Sequence, residues 1–162
     1  MLLARTPLCC LCFGVEQAPL FRFGVVADVQ FADIGDGPNY ARTRTRRYRQ
    51  SLEILREASG VWSEGQVDFC VELGDLLDRK AVSKRWLALA SVKRAMSSVH
   101  EWHVPVGNHD LSVFNRDELH GALLHRAPSP DILYYDWRPA RGFRCCVLDA
   151  YRVSVVEEGR RT

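Results

Sequence analysis

Three short groups of polar residues have the types and spacing for metal chemistry. They are Asp28-Val29-Gln30, Gly74-Asp75-Leu76-Leu77-Asp78 and Gly107-Asn108-His109-Asp110. Asp28 and Asp75 offer carboxylates, Gln30 and Asn108 offer amide oxygens, and His109 offers an imidazole. An oxygen-rich set of this kind suits hard or borderline divalent cations such as Mg²⁺ or Mn²⁺. Two carboxylates brought together without a cation repel each other and raise a pKa, a cost that a bound cation removes. Asp28 and Gln30 are two positions apart, so both side chains can leave a strand end on the same side. Gly74 and Gly107 stand just before Asp75 and Asn108, where they allow tight turns and close backbone approach. Taken singly, each group has an ordinary use: a strand-end Asp caps a helix, and an Asn-His pair makes a turn. It is the order of the three, each at the end of an apolar run, that points to function.

The elements expected to position them alternate. Phe21–Ala27, Val67–Leu73 and Trp102–Val106 are short apolar runs that predict strands. Between them, Thr43–Trp62 places Tyr48, Leu52, Leu55, Ala58 and Trp62 at helical spacing, and Ser83–Val99 does the same with Trp86, Leu89, Val92, Met96 and Val99. Asn115–His125 predicts another helix. Ile132–Trp137 and Phe143–Ala150 predict two more strands, joined as a hairpin around Pro139–Gly142. Strands alternating with helices imply crossover connections and a mainly parallel sheet, hence an α/β fold. In such sheets functional residues collect at the carboxyl ends of the strands, which is where all three groups fall.

The bulk properties fit one soluble domain. The chain has 162 residues, 47% hydrophobic and 26% charged, with a net charge of +2, too mild to argue for nucleic acid. No apolar run approaches the ~18 residues of a membrane span. The six cysteines form neither a disulfide framework nor a zinc ribbon: three lie before residue 13, Cys70 lies in an apolar run, and Cys145 and Cys146 are adjacent. Free thiols in a reducing, cytoplasmic setting are expected. Residues 1–20 form a fairly apolar leader. Arg5 and Pro7 interrupt it and no clean cleavage site follows, so it is expected to be poorly ordered rather than a secretory signal. The domain proper is expected over 21–162.

The series D-x-[H/Q], G-D-x-x-D, G-N-H-[D/E] resembles the calcineurin-like metallophosphoesterases, and within them the manganese-dependent ADP-ribose/CDP-alcohol diphosphatases. The likeness is carried by Phe23–Asp33, Asp36-Gly37, Thr45–Leu52 and Val147–Tyr151. Gln30 is the most telling residue, because most of the superfamily has His there. The resemblance implies a metallophosphoesterase-type α/β sandwich. It also implies a two-metal Mn²⁺ site, with Mg²⁺ as the other candidate, that cuts the phosphoanhydride of nucleoside-diphosphate-linked compounds. Asp28 and Gln30 then resemble ligands of the first metal, Asp75 the carboxylate bridging both, and Asn108 a ligand of the second. His109 resembles the residue that stabilises phosphoryl oxygens or protonates the leaving group, with Asp78 holding its other ring nitrogen. The partner implied is a small nucleotide diphosphate substrate, with no nucleic acid and no membrane, and the complete protein is expected to be a monomer.

Two features depart from the family. Its members continue for about as many residues again, with a lone His and a G-H-x-H segment that supply three more ligands. No G-H-x-H occurs here, and His100, His103, His120 and His125 fit no such pattern. The chain is therefore expected to hold only the N-terminal half of the fold. The GD-to-GNH spacing is also short. These departures keep two alternatives open: an inactive product acting as a binding module, or another phosphatase or nuclease of the superfamily, which Gln30 disfavours. Arg42, Arg44, Arg46, Arg47 and Arg49 are expected to open the first helix, either as a solvated face or, through Arg46 and Arg47, as a site for an anionic diphosphate. Phe31, Tyr40 and Phe114 are candidates to stack on a base, with core packing as the ordinary alternative.

Overall fold

The structure is a computed structural model that describes residues 18–152. Most of the expected leader, with Cys9, Cys10 and Cys12, lies outside the described residues. In chain order the elements are β1 Phe23–Val26, β2 Gly37–Pro38, β3 Thr45–Arg46, α1 Gln50–Glu64, β4 Phe69–Glu72, a 3₁₀ segment Arg79–Lys84, and α2 Arg85–Met96. They continue with β5 Trp102–His103, α3 Asn108–Val113, α4 Arg116–Ala122, β6 Tyr135–Trp137 and β7 Cys145–Val147. β1, β4 and β5 form a parallel sheet in the order β1-β4-β5, with Phe23 opposite Phe69 and Cys70 opposite Trp102. The expected α/β alternation and parallel pairing are both present.

α1 and α2 cover one face of this sheet. The buried stripe of α2 is Ala88, Leu89, Val92, Ala95 and Met96, at the spacing that keeps one helical face inward. Gly24 of β1 sits under Trp62 of α1: a Cβ there would lie 2.5 Å from the indole. On the opposite face, β6 and β7 pair as the expected antiparallel hairpin, Tyr135 opposite Val147. Trp137 stacks on His103 at 3.5 Å between ring centroids and meets Phe69 edge-on. His103 is fully buried, with one ring nitrogen 3.2 Å from the Tyr135 hydroxyl and the other 3.1 Å from Glu101. It is a structural histidine. Cys145 is half-buried and Cys146 exposed, as strand alternation requires, and Cys70, Cys145 and Cys146 are all free thiols.

The structure corrects two expectations about the first helix. The first helix begins at Gln50, not near Thr43. Before it, the Asn39 side chain accepts the backbone N–H of Thr43 and of Arg44 at 2.8 and 3.2 Å, which closes a turn between β2 and β3. An Asn that bonds the backbone ahead of it competes with helix, and the helical spacing over 43–49 is coincidental. The arginines therefore do not open the helix: Arg42 and Arg44 lie in the hairpin turn, Arg46 in β3, and only Arg49 stands directly before α1, with no side-chain capping bond. Arg49 is neutralised by Asp33 at 2.7 Å, and this guanidinium holds the Asp33 carboxyl below its ordinary range. Phe31 and Phe114 pack in the core, the ordinary use expected of them, whereas Tyr40 is fully exposed.

Candidate metal centre

The loops that leave β1 and β4 are stitched together by backbone hydrogen bonds. Asp28 N–H donates to Gly74 O at 3.3 Å, Gln30 N–H to Asp75 O at 2.8 Å, and Phe31 N–H to Leu76 O at 3.1 Å; Asp78 N–H returns to Phe31 O at 3.0 Å. Parallel pairing thus continues past the sheet, with Phe31 bridged to Leu77. Asp28, Gln30 and Asp75 hold left-handed backbone, with φ of 54°, 42° and 62°, and Gly74 has φ of 94°. Such a conformation costs a non-glycine residue roughly 1–2 kcal/mol. Three such residues at one place mark a loop built for something other than stability.

These turns bring the side chains together. The Gln30 amide nitrogen lies 3.1 Å from Asp28 Oδ1 and 3.4 Å from Asp75 Oδ2. Its oxygen and nitrogen exchange places by a half-turn of the amide, so the same side chain can present an oxygen to a cation. Asp75 Oδ1 accepts the His109 N–H at 2.8 Å, which ties the third group to the second. Gly107 permits that contact: a Cβ there would lie 2.1 Å from Asp75 Oδ1. Asn108, exposed, begins α3 between Gly107 and His109. Asp28, Gln30, Asp75, Asn108 and His109 therefore gather at one edge of the sheet, over eighty positions of sequence apart.

Behind them, Asp78 is buried and divided in its bonding. Oδ1 accepts the Lys80 N–H at 2.9 Å and caps the 3₁₀ segment, the ordinary use of a strand-end Asp. Oδ2 faces Arg46 at 3.1 Å and His109 Nδ1 at 3.7 Å. That distance to the ring exceeds a hydrogen bond, and both Asp78 Oδ2 and His109 Nδ1 are buried without a hydrogen-bond partner. Arg46 stands at the site's edge, its guanidinium also 5.4 Å from the Tyr48 ring centroid. Arg47 is not brought there: it is exposed and donates to Gln50 at 3.3 Å. A cleft of about 450 Å³ lies elsewhere, between α1 and α2, and holds none of the strand-end ligand candidates.

Two further acids were not assigned roles from the sequence. Glu72, at the end of β4, is fully buried, and burial first, then the Asp110 charge, pushes its carboxyl up to about 9. Asp75 and Asp28 add to that rise, so the loops carry a concentrated negative field. Asp110 is buried and raised to about 6 by burial, against the backbone hydrogen bonds that favour its charge. A polar residue inside an otherwise apolar run, as in Val71-Glu72-Leu73, was the available signal for the first. The chemistry of the set fits a divalent cation at Asp28, Gln30, Asp75 and Asn108. Among the described residues no three His, Cys, Asp or Glu side chains converge as a metal-holding group, so this donor set is two carboxylates completed by amides.

A parallel β-α-β sheet presenting acid, amide and imidazole groups at its carboxyl edge has the architecture of a metallophosphoesterase. The pattern of the calcineurin-like phosphoesterase family matches residues 21–159, and the chain belongs to that family. Among curated proteins it is 40% identical to the manganese-dependent ADP-ribose/CDP-alcohol diphosphatase of Danio rerio, over 86% of this chain and 48% of that protein. It is 37% identical to the Arabidopsis thaliana protein of the same name and 38% to the Homo sapiens one, covering 46% and 45% of them. The crystal structure of a dimetal phosphatase from Danio rerio superposes with a TM-score of 0.79 at 40% identity, over 86% of this chain and 47% of that one. The chain spans about half the length of the curated relatives it matches.

Proposed function

We propose that this protein acts in the metal-dependent hydrolysis of nucleoside-diphosphate-linked compounds of the ADP-ribose and CDP-alcohol type, cutting the phosphoanhydride, with Mn²⁺ as the metal. The observation that carries this reading is the hydrogen-bonded convergence of Asp28, Gln30, Asp75 and the His109 backbone, with Asn108 the residue before it. The names of the relatives support the substrate class and the metal. Asp28, Gln30, Asp75 and Asn108 would hold the cations, with Asp75 central because it touches both neighbouring groups. Bound divalent cations there would supply an activated water and neutralise phosphoryl charge.

The chain's own residues do the rest. With Nδ1 of His109 turned toward Asp78, Nε2 is the ring atom left to meet the phosphoryl group or the leaving oxygen. Asp78 Oδ2, 3.7 Å from Nδ1, would orient the ring once the two close to hydrogen-bond distance. Arg46, held by Asp78, keeps further N–H groups for a phosphate, whose geometry a guanidinium matches.

A second reading, binding without turnover, is favoured by the absence of a three-residue His/Cys/Asp/Glu group among the described residues. One assay separates the two. Mn²⁺-dependent release of AMP from ADP-ribose and of CMP from CDP-choline is measured beside hydrolysis of p-nitrophenyl phosphate. The 162-residue chain is compared with a version extended to the relatives' full length, with Asp75→Ala as blank. Diphosphate hydrolysis by the extended protein, weak in the chain alone, is expected. Preference for p-nitrophenyl phosphate, or turnover unaffected by Asp75→Ala, would overturn the proposal. Nucleotide binding without turnover in either version would leave the binding reading.

A further inference from the structure

Asp110 follows the Asn108-His109 pair, and its side chain turns away from the group gathered at the edge, into the protein. It is 3% exposed. Its Oδ2 accepts the N–H of Asp75 at 2.9 Å and of Gly107 at 3.0 Å. Its Oδ1 accepts the N–H of Leu76 at 2.9 Å and of Leu77 at 3.3 Å. One carboxylate therefore takes four backbone donors, three from the loop after β4 and one from the loop after β5. Each oxygen already faces two donors, which leaves no direction open for a cation, so Asp110 is not itself a ligand. The arrangement is also reciprocal. The backbone of Asp75 is held by the side chain of Asp110, while the side chain of Asp75 is held by the backbone of His109 at 2.8 Å.

The turn so gripped is strained. Gly74 and Asp75 both have positive φ, and a Cβ on Gly107 would strike Asp75. Left to itself the loop after β4 would relax to ordinary backbone and swing the Asp75 carboxylate away from Asp28 and Gln30. Hydrogen bonds to a charged acceptor are stronger than neutral ones, and four of them together offset the left-handed backbone. We propose that Asp110 is a positioning residue: it clamps the loops after β4 and β5 to each other and thereby sets where Asp75, Asn108 and His109 face a metal. This rests on the reading of the edge as a metal centre, and the test keeps the two separable.

The first arm needs no metal. Amide hydrogen exchange is followed in the metal-free chain at Asp75, Leu76, Leu77 and Gly107. Protection at all four in the wild type, lost in Asp110→Asn and kept in Asp110→Glu, is expected, because the amide turns one acceptor into a donor while glutamate keeps both oxygens. Rapid exchange at these positions in the wild type would overturn the clamp even if Asp110→Asn fails to fold. So would unchanged protection in Asp110→Asn. The second arm titrates Mn²⁺ by electron paramagnetic resonance into the wild type and both variants. Loss of a group that orients metal ligands costs about 10–100-fold in affinity, and that weakening is expected for Asp110→Asn, with Asp110→Glu closer to the wild type. Equal affinity in all three would overturn the positioning role. Failure of the wild type to bind Mn²⁺ at all would overturn the metal centre, and the positioning role with it, while the first arm still decides whether the loops are clamped.

Discussion

Glu72 shows how far one residue can be pushed by its place in a fold. It ends β4 with its side chain wholly buried, accepts one N–H from Gly74 at 2.9 Å, and leaves its other oxygen without a partner. Burial raises its carboxyl to about 9 from the ordinary 4.5, so the folded chain holds that proton across neutral pH. The unfolded chain releases it once the pH passes the ordinary value. Between those two values the unfolded state binds fewer protons, and stability falls as pH rises; below the lower value the contribution is level. Glu72→Gln removes the titration and keeps an acceptor for Gly74. Metal-free urea denaturation from about pH 5 to about pH 9 is expected to show the variant gaining on the wild type as pH rises, by a few kcal/mol at the alkaline end. Parallel profiles would show that Glu72 ionises inside the protein without cost.

The strands and helices divide what the sequence could tell from what it could not. The apolar runs ending at Ala27, Leu73 and Val106 foretold the three parallel strands, because a buried parallel strand needs little more than continuous apolar residues. The polar groups at their ends were legible for the same reason: they break the runs. The β2–β3 hairpin was hidden because two-residue strands have no period, and what makes them is one Asn39 side chain bonding forward. α3 was hidden because its first residues are the Asn108-His109 pair itself, and its start depends on Asp110 reaching back to Gly107. The left-handed backbone at Asp28, Gln30 and Asp75 leaves no trace in residue type, since Asp and Gln are not glycine. The contact of β1 with α1 is a different case, where a glycine had a packing reason. Gly24→Ala would place a methyl 2.5 Å from Trp62 and 2.7 Å from Cys70 Sγ. Overpacking of this kind costs about 1–3 kcal/mol. A lowered urea midpoint is expected, partly restored by adding Trp62→Leu. An unchanged midpoint in Gly24→Ala would show that α1 lifts off β1 at no cost.

At the scale of the whole described molecule, the sheet has one face closed and one half open. α1 and α2 cover the side that carries Gly24, Cys70 and Glu72. On the other side the β6–β7 hairpin reaches Phe69 and His103 through Trp137. Phe143, just before β7, meets Phe21 edge-on ahead of β1. Phe23, Val25 and Leu73 alternate onto that side and are exposed, Phe23 at 53% and Val25 at 47%. No helix among the described residues is long and apolar enough to cross a membrane. Parallel sheets are stable with both faces covered, and β1 also offers an unpaired edge that can template association. The 162-residue chain is therefore expected to bind a hydrophobic dye and to self-associate as concentration rises in light scattering. Val25→Lys places a charge at the centre of the open strip without touching the Asp28, Asp75 or His109 side of the sheet. It should lower both signals while leaving Mn²⁺ affinity unchanged. A wild-type chain that stays monomeric and dark to the dye would show that this strip does not drive association.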